Sequence, residues 1–292
     1  MNGSGAVARY TLVELSRRRI LLVFFIVGAV GIIALGIGLK VLYQVASSNP
    51  RGFGNGAVDP PTFDHFLELL FVSYLFQALA VFALLIAYAI GMTAIYHDLD
   101  SGAAVSIFSK PVSRLAFATG KVGAAVAGLI AIVGLLALEA RLVMFLFGGG
   151  LENALTGQLI AVVANAIVVM LIVLSLSTWI NNILAAVVTF IYFNVITGII
   201  TTVHLVADAG VIGNTAVRNV FDVLYWLVPH QLVSSAVRDL AQAEIQMSGG
   251  VQSNQALASV PAPSGPGDIA WWVFTVFVFA ALVYYAVRRR QV

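Results

Sequence analysis

The chain contains no cysteine. That absence excludes disulfide staples, thiolate metal sites and thiol nucleophiles. Charge is also scarce. Asp, Glu, Lys and Arg make up 10% of the 292 residues, against roughly 25% in soluble domains, so an ordinary water-soluble fold is excluded. No phosphate loop is present. Gly120-Lys121 lacks the earlier glycine and the following Ser or Thr that such a loop needs, so this chain is not expected to hydrolyse ATP. There is no G-x-S-x-G and no H-E-x-x-H, and no catalytic constellation emerges.

What is abundant is oil. Hydrophobic residues are 61% of the chain and the mean hydropathy is +1.00. An interior needing this much apolar surface would belong to a far longer soluble chain. Lipid is therefore the solvent for most of this one. Uncharged runs of spanning length occur at Ile20–Leu39, Leu69–Tyr96, Val122–Leu138 (continuing past Glu139 and Arg141 to Phe147), Gly157–Trp179, Ile183–Val206 and Ile269–Val287. They predict an all-α polytopic membrane protein with six transmembrane helices, forming one domain over residues 1–292. The first 19 residues lack an apolar core and no small-residue cleavage site follows the first run, so Ile20–Leu39 reads as a retained span. Val223–Val237 is shorter and carries Pro229 and His230 in its middle. It reads as a re-entrant or interfacial helical hairpin between spans five and six.

Charge sets the orientation. Residues 1–19, the connection between spans two and three, and the tail hold ten of the fifteen basic residues and three of the thirteen acidic ones. Six spans put all three segments on one side, and the positive-inside rule makes that side the cytoplasm. Both termini are then cytoplasmic, in a multi-pass cytoplasmic-membrane protein. The outer parts are Val45–Phe66, a turn at Gly148–Thr156, and a long segment over 207–268 that ends in the Pro/Gly/Ser-rich "SVPAPSGPGD". Trp271 and Trp272 open the sixth span and Tyr284 and Tyr285 close it, as aromatic belts do.

The most polar internal stretch is "YHDLDSGAAVSIFSKPVSRLAFATGK", Tyr96–Lys121. It sits between spans two and three on the basic side. Asp98, Asp100 and Ser101 are helix-starting residues. Lys110-Pro111 breaks the helix, and Pro111 is placed to open another that leads into span three. This stretch resembles the cytoplasmic motif of ABC-2 type permeases, the membrane subunits of one class of ATP-binding cassette transporters. Asp100, Ser101 and Gly102 match the start of that motif, with Ala103 where Thr is common and Asp where Glu is frequent. Ser109, Lys110, Pro111, Ser113, Arg114, Gly120 and Lys121 match its end. The subgroup most similar in layout serves copper-enzyme maturation in nitrous oxide reduction.

The resemblance implies a coupling helix within 97–116, seated on a separate ATPase subunit through Asp98, Asp100, Ser101, Gly102, Lys110, Pro111 and Arg114. It implies a second permease copy, forming a homodimer, with ATP and Mg held by the partner ATPase. It implies an amphipathic helix over Ala6–Arg19 on the inner membrane face, with Ala8, Leu12 and Leu15 as its apolar side. Arg17–Arg19 also suits anionic headgroups. The cargo expected is an amphiphilic or apolar molecule, moved outward by alternating access. No cofactor, metal or nucleic acid is expected on this chain.

Other polar residues within spans are candidates by position. Glu139 and Arg141 lie near the outer end of span three, Glu139 roughly 26 Å beyond Val122 at about 1.5 Å per residue. Snorkelling and a place in the pathway are both open for them. Asn165, Asn194 and Gln77 can serve interhelical hydrogen bonds or substrate. His204 lies near an outer interface, and His230 either lines an outer gate or packs. His97, Asp98 and Asp100 read better as helix caps than as a metal cluster. A membrane-embedded enzyme using Glu139 or His204, and an energy-independent channel, are the alternative readings.

Overall fold

The structure is a computed structural model that describes residues 3–48, 60–96, 112–147, 152–208, 214–234, 238–239, 242 and 263–289, with backbone alone for 43, 46–47, 60–69, 152–156, 205–206 and 208. The described chain is helical, with no strand among the described residues. Helix α1 spans Gly3–Ser16, α2 Arg19–Ser48, α3 Pro60–Thr93, α4 Arg114–Phe147 and α5 Glu152–Ser177. The fifth crossing is composite: α6 (Asn182–Phe190), a π-helical turn (Ile191–Ile196) and α7 (Thr197–Asp208). Helix α8 spans Thr215–Leu227, and α9 spans Pro266–Arg289.

Among the described residues, six helical stretches are long and apolar enough to cross a membrane: Arg19–Leu42, Leu70–Thr93, Arg114–Leu146, Gly157–Ser177, Asn182–His204 and Pro266–Arg289. The shortest has 21 residues, about 32 Å at the α-helical rise, which matches a hydrocarbon core of about 30 Å. The protein is a multi-pass membrane protein, and the six runs in the sequence are these six helices.

The starts and stops are local chemistry. Ser113 caps α4 by accepting the Ala116 N–H through its Oγ (3.1 Å). The third crossing therefore begins at Arg114, eight residues before the apolar run. The expected second helix after Pro111 and the span itself are one continuous rod. Asn181 caps α6 by accepting the Ile183 N–H (2.9 Å), which makes the turn between crossings four and five tight. Helix α1 stops at Ser16 and Arg19 already belongs to α2, so the expected helix over Ala6–Arg19 is broken at Arg17-Arg18. Its buried side is Val7, Thr11 and Leu15, turned by about one residue from the Ala8–Leu12–Leu15 side expected.

Helix α5 is the centre. Of its spanning stretch, 61% is buried, against 17% for α9 and 22% for α2, so α5 is surrounded by protein while α2 and α9 face outward along most of their length. It packs most extensively on α3, and also on α9, α6 and α4. Between helices in lipid there is little hydrophobic drive, so close backbone approach has to supply the attraction. Ala83, Ala87 and Gly91 lie at i, i+4, i+8 on α3, and both alanines are fully buried. A Cβ on Gly91 would lie 2.8 Å from the Val173 Cβ and 2.9 Å from the Met170 carbonyl oxygen, so only glycine lets α3 and α5 meet there.

Contacts assign helix termini to the two ends of the bundle. At one end, Arg18 reaches the Thr93 carbonyl of α3, Arg114 of α4 donates to the Arg288 carbonyl of α9, and Trp179 after α5 stacks on Tyr285. Helix α1 lies at this end, across the first turns of α4. At the other end, α8 and the chain after it rest on α7, on the middle of α5 at Asn165 and on the first turns of α9.

Candidate functional site

Polar side chains gather at the two ends of the bundle and at one point midway. At the α1 end the centre is Glu14. Its carboxylate pairs with Arg18 one turn later and with Lys121 of α4, whose Nζ is 3.3 Å away. Lys121 is fully buried and its ammonium also lies 5.4 Å from the Tyr10 ring centroid. One residue earlier, a Cβ on Gly120 would come within 2.7 Å of the Ser4 carbonyl oxygen. Val7, Phe117 and Val287 close a small apolar cluster beside it. Gly120 and Lys121, the last two residues of the sequence motif, thus hold α1 against α4.

Of the residues expected to contact a partner, Asp98, Asp100, Ser101, Gly102, Lys110 and Pro111 lie outside the described residues. Arg114 is described. It is exposed, and its Nη1 donates to the Arg288 carbonyl oxygen (2.5 Å), which ties the start of α4 to the end of α9.

At the other end the centre is Asp268, in the first turn of α9. Its Oδ2 accepts from the Gly265 N–H (2.7 Å), the side-chain half of a capping box. Its Oδ1 faces His230 Nε2 (3.1 Å) and accepts from the Tyr225 hydroxyl (3.2 Å). His230 is 4% exposed, and its Nδ1 lies 3.3 Å from the Tyr225 carbonyl oxygen. Both ring nitrogens therefore face acceptors. The Tyr225 ring is sandwiched between His204 and His230, with centroids 4.3 and 4.1 Å away. Burial raises the Tyr225 hydroxyl's pKa well above the usual tyrosine value, and the adjacent Asp268 charge raises it further. His204 Nδ1 lies 2.8 Å from Asp222 Oδ1, off the line of a ring N–H hydrogen bond.

Asn165 completes this end. Its Nδ2 donates to the Leu232 carbonyl (3.0 Å) and its Oδ1 accepts the Leu232 N–H (2.8 Å). Ser264 and Val233 pair in the same reciprocal way, and Trp271 Nε1 donates to the Val228 carbonyl. Residues 228–234 are a non-helical strap fastened to α5 at Asn165, to α9 at Asp268 and Trp271, and to Ser264 just before α9. A helical hairpin was expected across Val223–Val237. Its first arm is the end of α8, which stops at Leu227 because Val228, the residue before Pro229, is extended. Of the expected second arm, residues 229–234 form the strap and 235–237 lie outside the described residues.

The structure thus brings Asn165 and His230 together on one strap. It leaves the other expected pathway residues apart. Asn194 sits in the π-helical turn, donating to the Tyr88 hydroxyl (3.2 Å) and the Phe190 carbonyl (3.3 Å). Thr197 donates to the Phe193 carbonyl of the same turn, and the Thr197 N–H bonds the Tyr192 carbonyl five residues back, the π-helical register. Glu139 on α4 is half-buried and Arg141 is exposed. Glu14, Asp222, Tyr225 and Asp268 were not singled out from sequence, and Lys121 was singled out only as the end of the motif. The available signal was Glu14 and Lys121 as opposite charges on faces otherwise apolar. No group of three or more metal-ligating side chains occurs among the described residues. The chain matches no protein-family model and no curated protein sequence.

Proposed function

We propose that this chain is the permease subunit of an ABC-2 type transporter, exporting an amphiphilic or apolar molecule across the cytoplasmic membrane by alternating access. The observation that carries the reading is the motif-bearing segment Asp98–Lys121, which connects α3 and α4 at the arginine-rich end of six spans. Asp98, Asp100, Ser101, Gly102, Lys110, Pro111 and Arg114 dock a separate ATPase subunit, which holds ATP and Mg. Its closure moves the segment, and the spans tilt with it. The basic end is cytoplasmic by the positive-inside rule, and the strap end is outside.

Two features support this reading. The segment leads directly into α4, a rod of 34 residues capped by Ser113, so a push at its start reaches the far end of the bundle. The spanning part of α5 is enclosed by apolar side chains from α3, α4 and α9. Among the described residues the interior around α5 is packed with apolar side chains, which supports a pathway formed between two copies.

The deciding experiment is mild-detergent purification of the tagged chain from its native membrane. An ATPase subunit is expected to co-purify, and Asp100→Lys or Gly102→Trp is expected to lose it, or to keep it while abolishing ATP-driven transport. A folded permease with no ATPase, or full transport by both variants, would sink the reading.

A further inference from the structure

The α1 end carries more positive charge than its internal network consumes. Residues 3–19 hold four arginines and one carboxylate. That carboxylate, Glu14, is engaged by Arg18 and by the buried Lys121. Arg18 is turned inward, its guanidinium also reaching the Thr93 carbonyl. Arg9, Arg17 and Arg19 are exposed and make no ion pair among the described residues. Arg9 lies on the outward side of α1, Arg17 follows its last residue at the elbow, and Arg19 opens α2 just past it. Between them the same surface shows Tyr10 (50% exposed), Val13 (44%) and Ile20 (45%). It continues into the outward face of α2 at Val23, Ile26, Val27 and Val30, all at least half exposed.

We infer that the elbow between α1 and α2 binds the headgroup of an anionic phospholipid through Arg9, Arg17 and Arg19. The chemistry needs a diffuse negative charge next to an apolar chain. Guanidinium forks match phosphodiester oxygens. Tyr10 and Val13 lie where glycerol and the first acyl carbons would rest, and the α2 face accepts the rest of the chain. The site is held from inside, because Glu14 fixes Arg18 and Lys121 and thereby the angle at which its neighbours point outward. Arg18, in the middle of the basic run, is excluded from the site. The inference does not depend on the transport reading.

The test uses the full-length purified chain in neutral detergent, titrated with short-chain phosphatidylglycerol, short-chain phosphatidylcholine or inorganic phosphate, and read by native mass spectrometry. Phosphatidylglycerol is expected to bind tightest, with affinity falling as salt is added. Each arginine near a headgroup is worth roughly fivefold, so R9Q/R17Q/R19Q is expected to lose on the order of a hundredfold and approach phosphatidylcholine. R9K/R17K/R19K is expected to retain most of the preference. If the triple Gln variant does not fold, Arg17→Gln alone carries the test, with a loss of about fivefold. Equal affinity for the two lipids, an unchanged triple Gln variant, or displacement of phosphatidylglycerol by equimolar phosphate would overturn the inference. So would a triple Gln variant that keeps its lipid but loses a protein partner.

Discussion

Removing Glu14 and removing Lys121 should have very different consequences, although the two form one ion pair. At 3.3 Å and an effective dielectric constant of about 20, their gross attraction is about 5 kcal/mol. Most of that only offsets desolvation, since Lys121 is fully buried. The asymmetry comes from the third member. In Lys121→Met the carboxylate keeps Arg18 and about a fifth of its surface in solvent, and Met fills the volume of the lysine stem. The expected cost is about 1 kcal/mol. In Glu14→Gln the buried ammonium loses the carboxylate 3.3 Å away and the half-buried guanidinium loses the same partner, and the expected cost is about 3–5 kcal/mol. The double variant also removes the buried ammonium, so it should be more stable than Glu14→Gln alone. Reversible unfolding in mixed micelles, titrated with a denaturing detergent, measures all three. If Lys121→Met costs as much as Glu14→Gln and the double variant shows no recovery, Lys121 stabilises through its packed stem and the charge argument is wrong.

Three further outcomes are expected. Gly120→Val places a branched side chain where even a Cβ meets the Ser4 carbonyl oxygen at 2.7 Å; α1 should lift off α4, and trypsin should cut at Arg9 and Arg17 much faster while the spans stay protected. Asn165→Leu removes both hydrogen bonds to Leu232; hydrogen exchange at Leu232 and Val233 should accelerate by one to two orders of magnitude, for a loss of about 1–3 kcal/mol locally, and unchanged protection would show that the strap is held elsewhere. Tyr225 is held protonated by burial and by Asp268, so its contribution is fully present below the ordinary tyrosine value of about 10. Above that the unfolded chain ionises first and the strap end should lose stability as pH rises; Tyr225→Phe should flatten this alkaline limb, and an equal slope in the variant would refute it.

Composition and run length determined the membrane class, the all-helical architecture and the six crossings. A spanning helix satisfies its own backbone and must be apolar along about 20 residues, and both requirements are local. Some punctuation was legible for the same reason: the Asn181-Asn182 turn and the stop at Pro229 are written in single residues. Which polar residues meet was not written there. Asn165 and Leu232 are 67 positions apart, Glu14 and Lys121 107, and His230 and Asp268 38. A buried polar group needs a partner, but the sequence does not say which of several will be brought near. Gly120 and Lys121 show this most plainly. In sequence they close a motif that resembles a partner-docking segment. In the fold, the close approach of α1 uses both of them internally. The start of α4 at Arg114 was set locally by the Ser113 cap, whereas the π-helical turn at Asn194 was decided in three dimensions, where Tyr88 of α3 meets it in a register that apolar periodicity leaves undefined.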